Sequence, residues 1–163
     1  MRGKQMQNYE IERKWLIEKV PVSLGDKECL HIEQAYLSFS PTVRVRKEND
    51  TYYLTYKGAP EPGGNGIKHS EYNLPLDAAS YEHLREKRDG ILIKKDRFLI
   101  PIEKGLTIEL DIFKEKYEGL MVAEVEFDSE EEAEGFDAPD WFGKDVTGEA
   151  KYKNACMAKG WEE

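Results

Sequence analysis

From Leu106 to Phe113 the chain alternates strictly: Leu106, Ile108, Leu110 and Ile112 share one face of an extended segment, while Thr107, Glu109, Asp111 and Phe113 share the other. The same period-two split sets Val43 and Val45 against Arg44 and Arg46, and Ala123, Val125 and Phe127 against Glu124 and Glu126. Tyr52, Leu54 and Tyr56 oppose Thr55 and Lys57, and Ile11, Trp15 and Ile17 oppose Glu10, Glu12 and Lys14, with Arg13 interrupting the apolar set. The pattern predicts strands at Tyr9 to Ile17, Glu33 to Ser38, Thr42 to Lys47, Thr51 to Lys57, Lys68 to Leu74, Ile91 to Ile102, Leu106 to Phe113 and Met121 to Phe127. Turn signals between them indicate hairpins, so about eight mostly antiparallel strands are expected. Helices are predicted at Asp77 to Arg88, Ser129 to Glu134 and Thr147 to Lys159. Ser129 ahead of a glutamate run suits a capped helix start. The stretch Gly58 to Gly66 reads as a long hairpin loop, since its glycines lack the GK[ST] ending of a phosphate loop.

A length of 163 residues fits one domain, taken here as residues 1–163, and a 39% hydrophobic content supplies a core. Acidic residues outnumber basic ones by 33 to 24, a net charge of -9, which argues against a broad nucleic-acid surface. No stretch approaches the roughly 20 apolar residues of a membrane helix, so a soluble, unexported, cytoplasmic protein without a membrane partner is expected. Cys29 and Cys156 stand far apart and lack partners at metal-ligand spacing, so neither a disulfide framework nor a zinc knuckle is expected, and a reducing compartment fits. His31, His69 and His83 show neither an H-x-H nor an H-E-x-x-H pattern, so ordinary surface or core histidines are expected and imidazole metal chemistry is not.

Charge changes the picture through its arrangement. The polar faces segregate by strand into carboxylate pairs (Glu10/Glu12, Glu109/Asp111, Glu124/Glu126) and cation pairs (Arg44/Arg46, Lys95/Arg97). Alternation alone fits a half-solvated antiparallel sheet. Like charges side by side repel without counter-ions, however, and this favours strands curled into a barrel with the charged faces lining a lumen and the apolar faces covered by helices. Clustered carboxylates of that kind suit hard divalent cations such as Mg2+ or Mn2+. Facing arginines and lysines suit phosphoryl oxygens. A polyphosphate would satisfy both walls, and metal-assisted attack by water on a phosphoanhydride is the chemistry such a lumen could support.

Glu10-Ile11-Glu12-Arg13-Lys14 resembles the E-x-E-x-K signature of the CYTH, or triphosphate tunnel metalloenzyme, superfamily. It is followed in order by Gln34-Ala35-Tyr36-Leu37, Arg44-x-Arg46, Thr55-x-Lys57, Lys95-x-Arg97, Glu109-Leu110-Asp111, Glu124-x-Glu126 and the stretch from Thr147 to Asn154. The resemblance implies an α+β fold, an eight-stranded antiparallel tunnel with helices outside and a C-terminal closing helix. It also implies metal-dependent hydrolysis of a small-molecule triphosphate. By the same resemblance Glu10, Glu12, Asp111, Glu124 and Glu126 would bind metal, with Glu109 less firmly placed. Lys14, Arg44, Arg46, Lys57, Lys95, Arg97 and Lys151 would contact phosphates. Tyr36, paired with Lys14, would be a candidate base toward water or a plain hydrogen-bonding group. Where many members carry R-x-E-x-E, this chain has His69-Ser70-Glu71-Tyr72-Asn73, which keeps Glu71 as a possible metal or supporting residue. Inorganic tripolyphosphate is the leading substrate. Adenylate cyclase, thiamine or nucleoside triphosphatase and a non-catalytic polyphosphate-binding module are the alternatives, and a homodimer is compatible with all of them.

Overall fold

The computed structural model describes residues 9–21, 23–60 and 68–161. Its strands are β1 (Tyr9–Leu16), β2 (Glu28–Phe39), β3 (Thr42–Glu48), β4 (Thr51–Pro60), β5 (Lys68–Leu76), β6 (Asp89–Pro101), β7 (Thr107–Phe113) and β8 (Met121–Glu126). They close into one barrel in the order β1-β5-β4-β3-β2-β6-β7-β8. Every pairing is antiparallel; β1 seals the ring by meeting β5 over its first residues and β8 over the rest. All the expected strands form, and β2 begins earlier than its polar N-terminal half suggested, because its Glu28–Glu33 segment pairs with β6. In the predicted loop from Gly58 to Gly66, residues 58–60 continue β4 and residues 61–66 lie outside the described residues.

The apolar faces point outward and are covered. On β1, β6, β7 and β8, the side chains of Ile11, Trp15, Ile100, Ile108, Leu110, Ala123 and Val125 form a core with Ala133, Phe136, Trp141 and Phe142 from the segment after β8. Trp15 lies against Phe136 and Phe142, with ring centroids 5.6 and 4.9 Å away. Arg13, the charged interruption on that face, lays its guanidinium 4.7 Å from the Trp15 ring centre. It donates to the carbonyls of Ala133 and Phe136 at 2.9 and 3.2 Å and pairs with Asp145 at 2.7 Å. Those carbonyls belong to the end of α2 (Glu130–Glu134) and the residues after it, so a cation there satisfies acceptors that the helix leaves open. On the other side of the barrel α1 (Ala78–Arg85) places Tyr81 on Ala35 and Val45.

Both helix starts carry side-chain caps, Asp77 accepting from the Ser80 amide and Ser129 from the Glu132 amide. α1 stops at Arg85, earlier than the expected Arg88. The predicted helix from Thr147 to Lys159 is corrected by the structure. Residues 144–146 run beside β1, with Trp15 bridged to Asp145 and the Val146 amide donating to Lys14 O at 2.9 Å; Thr147–Gly148 then form a turn closed by the Glu149 amide on Val146 O at 2.9 Å, with Thr147 Oγ1 accepting from the Lys14 amide at 2.9 Å. Gly148 sits at φ 79, outside helical geometry. A single 3-10 turn spans Ala150–Tyr152, and α3 covers only Asn154–Lys159. α3 inserts Met157 and Ala158 against Tyr36, Ile93, Phe113 and Val122. No helix among the described residues is long and apolar enough to cross a membrane.

Gly90, at the start of β6, passes directly beneath α3. A Cβ there would stand 2.2 Å from the Ala158 carbonyl oxygen, at a φ of 73 that L residues rarely adopt. Gly90→Ala is expected to destabilise the fold by about 1–3 kcal/mol, read as a lower midpoint in chemical denaturation.

Candidate active site

Because cross-strand partners share a face, the register settles which polar residues meet inside the barrel. Glu12 stands opposite Glu126 and Lys14 opposite Glu124 across β1 and β8, and Glu109 stands opposite Glu124 across β7 and β8. Tyr36 faces Arg44 and Gln34 faces Arg46 across β2 and β3. All of these but the fully buried Gln34 line a cavity of about 620 Å³, together with Glu10, Lys57, Glu71, Lys95 and Arg97. Nearly all of the site residues expected from sequence therefore converge in one chamber.

One wall is acidic. Burial, joined by repulsion from Glu10, raises Glu12 to a pKa of about 7. Glu109 reaches about 7 through burial, despite the Arg97 guanidinium 3.0 Å away. Glu126, at the open rim and the most exposed of the three, reaches about 7 through burial and the charges of Glu10, Glu109, Glu71 and Glu12. Glu124 behaves oppositely: burial works against its charge, but Lys14 at 3.1 Å and Arg97 at 3.7 Å hold it well below the ordinary carboxylate range. Lys57 binds the outer part of this wall, 2.9 Å from Glu10 and 3.4 Å from Glu12.

The cationic wall is built from β3 and β6. Arg46 donates to Gln34 Oε1 at 2.9 Å, to the Tyr53 hydroxyl at 3.2 Å and to Glu48 at 3.3 Å, and the Tyr53 hydroxyl donates to the same Glu48 oxygen. Arg44 lies beside Tyr36 and Glu71, and its Nε is buried without a hydrogen-bond partner. An orphaned guanidinium N–H facing a polar chamber is a vacant donor for an anion.

Asp111 occupies a different place from its acidic neighbours. It is fully buried and absent from the cavity lining. Its Oδ1 accepts from Arg97 Nε at 2.7 Å, and its Oδ2 from Arg97 Nη2 at 2.9 Å and Lys95 Nζ at 2.7 Å. Glu109, the less firmly placed of the β7 acids in the sequence, is the one that reaches the chamber. Lys95 is pushed down to about 7 by burial, only partly offset by Asp111 and reinforced by the nearby Arg97 and Arg46 charges.

Two further expectations meet a different geometry. The Lys14 ammonium is held by Glu124 and by the Tyr152 carbonyl at 3.0 Å, while the cation facing the buried Tyr36 phenol is Arg44. Lys151 does not join the chamber: its ammonium lies 4.6 Å from the Trp161 ring centre and 5.5 Å from that of Tyr152, on the exposed side. With a strap and 3-10 turn in place of a continuous helix, Lys153, Asn154, Ala155, Cys156 and Lys159 are the C-terminal residues that enter the lining. Asn154 Oδ1 accepts from Gln34 at 2.6 Å and from Lys95 at 2.9 Å, which ties the start of α3 to β2 and β6. Gln34 and Asn154 were visible only as members of longer sequence motifs, since a neutral amide on a polar face carries no charge signal.

Asp111→Asn would leave Arg97 and Lys95 without their shared counter-charge. A loss of about 3–5 kcal/mol is expected by denaturant titration, the usual scale for breaking one side of a buried ion pair. Glu126 tests the acidic wall. A carboxyl whose folded pKa is about 7 binds protons more tightly than in the unfolded chain, near 4.3. Its ionisation therefore costs stability, a cost absent below the unfolded value and fully present above pH 7. In chelator, Glu126→Gln is expected to gain stability relative to the parent as pH rises from about 5 to 8, measured by thermal melts.

A sequence profile of the CYTH domain matches residues 8–153. An inorganic triphosphatase of Nitrosomonas europaea is 34% identical over 153 residues, covering 91% of this chain and 96% of that one. An inorganic triphosphatase of Acetivibrio thermocellus is 36% identical over 154 residues, covering 92% and 93%. A crystal structure of an inorganic triphosphatase superposes with a TM-score of 0.68 at 31% identity, covering 94% of this chain and 97% of that one. With the barrel, the inward acidic and basic walls and these matches along almost its whole length, the chain belongs to the CYTH domain family.

Proposed function

We propose that the chamber hydrolyses a phosphoanhydride bond of a triphosphate, inorganic tripolyphosphate foremost, with Mg2+ or Mn2+ as cofactor. The observation that carries this reading is the opposition of two walls inside one closed barrel, carboxylates from β1, β7 and β8 against guanidinium and ammonium groups from β3, β4 and β6. The two curated relatives named inorganic triphosphatase support it.

The donor set fits a hard divalent ion. Glu10, Glu12, Glu124 and Glu126, with Glu109, offer only oxygen, and three of the five stand near a pKa of 7, raised first by burial and then by their acidic neighbours. When bound, the ion would supply charge neutralisation at the phosphoryl oxygens and a more acidic water. The chain's own residues do the rest. Arg44, with its unpartnered Nε, and Arg46, pre-set by Gln34 and Tyr53, would take non-bridging phosphoryl oxygens. Lys57, Arg97 and Lys153 line the same space and would add point or forked contacts. Lys14 fixes Glu124 as a carboxylate, so that this acid stays ionised in a buried position. Lys95 and Asp111 stand behind Arg97 and would hold its fork toward the substrate. Tyr36 lies beside Arg44 in the lining, within the space where a water or phosphoryl oxygen would need a hydrogen-bond partner.

Purified protein given Mg2+ or Mn2+ and tripolyphosphate, ATP or thiamine triphosphate is expected to turn over tripolyphosphate fastest, releasing phosphate and pyrophosphate. Chelation should stop the reaction. Absence of metal-dependent turnover on every substrate would sink the proposal, and cyclic AMP from ATP would replace it with the cyclase reading. Glu124→Gln combined with Glu126→Gln should abolish turnover while circular dichroism shows the barrel intact. Arg44→Ala should weaken tripolyphosphate binding about 10- to 100-fold, the range for one lost charge-assisted hydrogen bond, as read from KM.

A further inference from the structure

The outer wall of the barrel carries a donor cluster that the chamber does not use. Cys29 and His31 lie two residues apart on β2 and so share a face; Asp96 on β6 stands directly across from His31 in the register. Cys29 is opposite Phe98, which makes Asp96 its diagonal neighbour. One donor atom from each, a thiol sulfur, a ring nitrogen and a carboxylate oxygen, all lie within 4.8 Å of one another. Tetrahedral zinc, with sulfur at ~2.3 Å and nitrogen or oxygen at ~2.1 Å, needs such donors roughly 3.3–3.7 Å apart, so side-chain rotation would part the His31 and Asp96 atoms, now 2.7 Å apart, to admit the ion between them and the thiol.

The surroundings already hold this group in place. His31 Nδ1 is 2.7 Å from Asp96 Oδ1, so the two are joined before any ion arrives. Asn49 grips the His31 backbone from both sides, its Oδ1 accepting from the His31 amide at 2.9 Å and its own amide donating to the His31 carbonyl at 3.0 Å. Lys114 sits 3.0 Å from the other Asp96 oxygen and leaves Oδ1 toward the cluster. No motif along the chain announces the arrangement, because the third donor comes from a strand more than sixty positions away and only the β2–β6 pairing unites them.

We propose that Cys29, His31 and Asp96 form a second divalent-metal site, on the outside of the barrel, for an ion of the zinc class with water as its fourth ligand. The mixed sulfur, nitrogen and oxygen set is softer than the all-oxygen wall of the chamber, so the two sites select different metals. Binding would release the thiol proton, and thiolate and carboxylate together would neutralise the dication. Because the inward residues of the same strands are Gln34, Lys95 and Arg97, an ion here would brace the β2–β6 pair from behind without touching substrate.

Full-length protein bearing Cys156→Ser, which leaves Cys29 as its single thiol, is titrated with Co2+ in a large excess of Mg2+ that occupies the oxygen sites. A near-ultraviolet sulfur-to-cobalt charge-transfer band that saturates at one equivalent and is displaced by Zn2+ is expected. Adding Cys29→Ser should remove it, and His31→Gln should weaken Co2+ binding by at least about tenfold. Zn2+ should raise the melting temperature of the parent but not of Asp96→Asn. Lack of the band, or its persistence after Cys29→Ser, overturns the proposal. Far-ultraviolet circular dichroism in chelator separates loss of the site from loss of the fold, and the His31→Gln arm decides the matter if Cys29→Ser misfolds. Tripolyphosphate turnover plays no part in these readouts, so their outcome is independent of the chamber's assignment.

Discussion

The constraint on which this molecule turns is that charges sealed inside a barrel must be compensated by one another, with little water to help. Asp111 shows how tightly that binds: one fully buried carboxylate serves both Arg97 and Lys95, and Arg97 in turn reaches Glu109 and Glu124. Such networks contribute little net stability, since desolvation offsets most of the attraction. Their persistence makes sense for a chamber that must receive a highly charged guest. The places where compensation is incomplete, the carboxylates near a pKa of 7 and the unpaired Arg44 Nε, are where a guest's charges would be accommodated.

Cohesion therefore comes from outside the chamber. The apolar faces of β1, β6, β7 and β8 pack under the segment that follows β8, and α1 covers the opposite arc. The C-terminal strap links the two worlds. Thr147 accepts from the Lys14 amide, Tyr152 accepts from the Lys14 ammonium, and Asn154 joins Gln34 and Lys95. One stretch of chain thus fastens the outer core and also sets the orientation of Lys14 in the chamber and of the buried Gln34 that supports Arg46.

Period-two alternation located the strands, although β2 starts five residues before the expected Glu33, and charge segregation together with the family resemblance turned the polar faces inward. Arg13, which looked like an error in the apolar face, is explained by helix carbonyls that come from residues 120 or more positions away. The C-terminal region was less legible. Its composition reads as helical, but the hydrogen bonds to Lys14 and the turn at Gly148 break that helix, so Lys153 rather than Lys151 enters the lining. The division between Glu109 and Asp111 was hidden for a similar reason. Both share a strand face, and only depth along the barrel decides which is drawn into an internal ion pair.

A strand whose two faces are both committed, one to the core and one to the chamber, has no silent positions. On β7, Ile108 and Leu110 are packed against the outer layer while Glu109 and Asp111 are held in ionic contacts, so almost any exchange there costs either folding or chemistry. A change in what the chamber accepts costs less at a position such as Thr42, which borders the cavity without belonging to the outer apolar core or to the ion pairs inside.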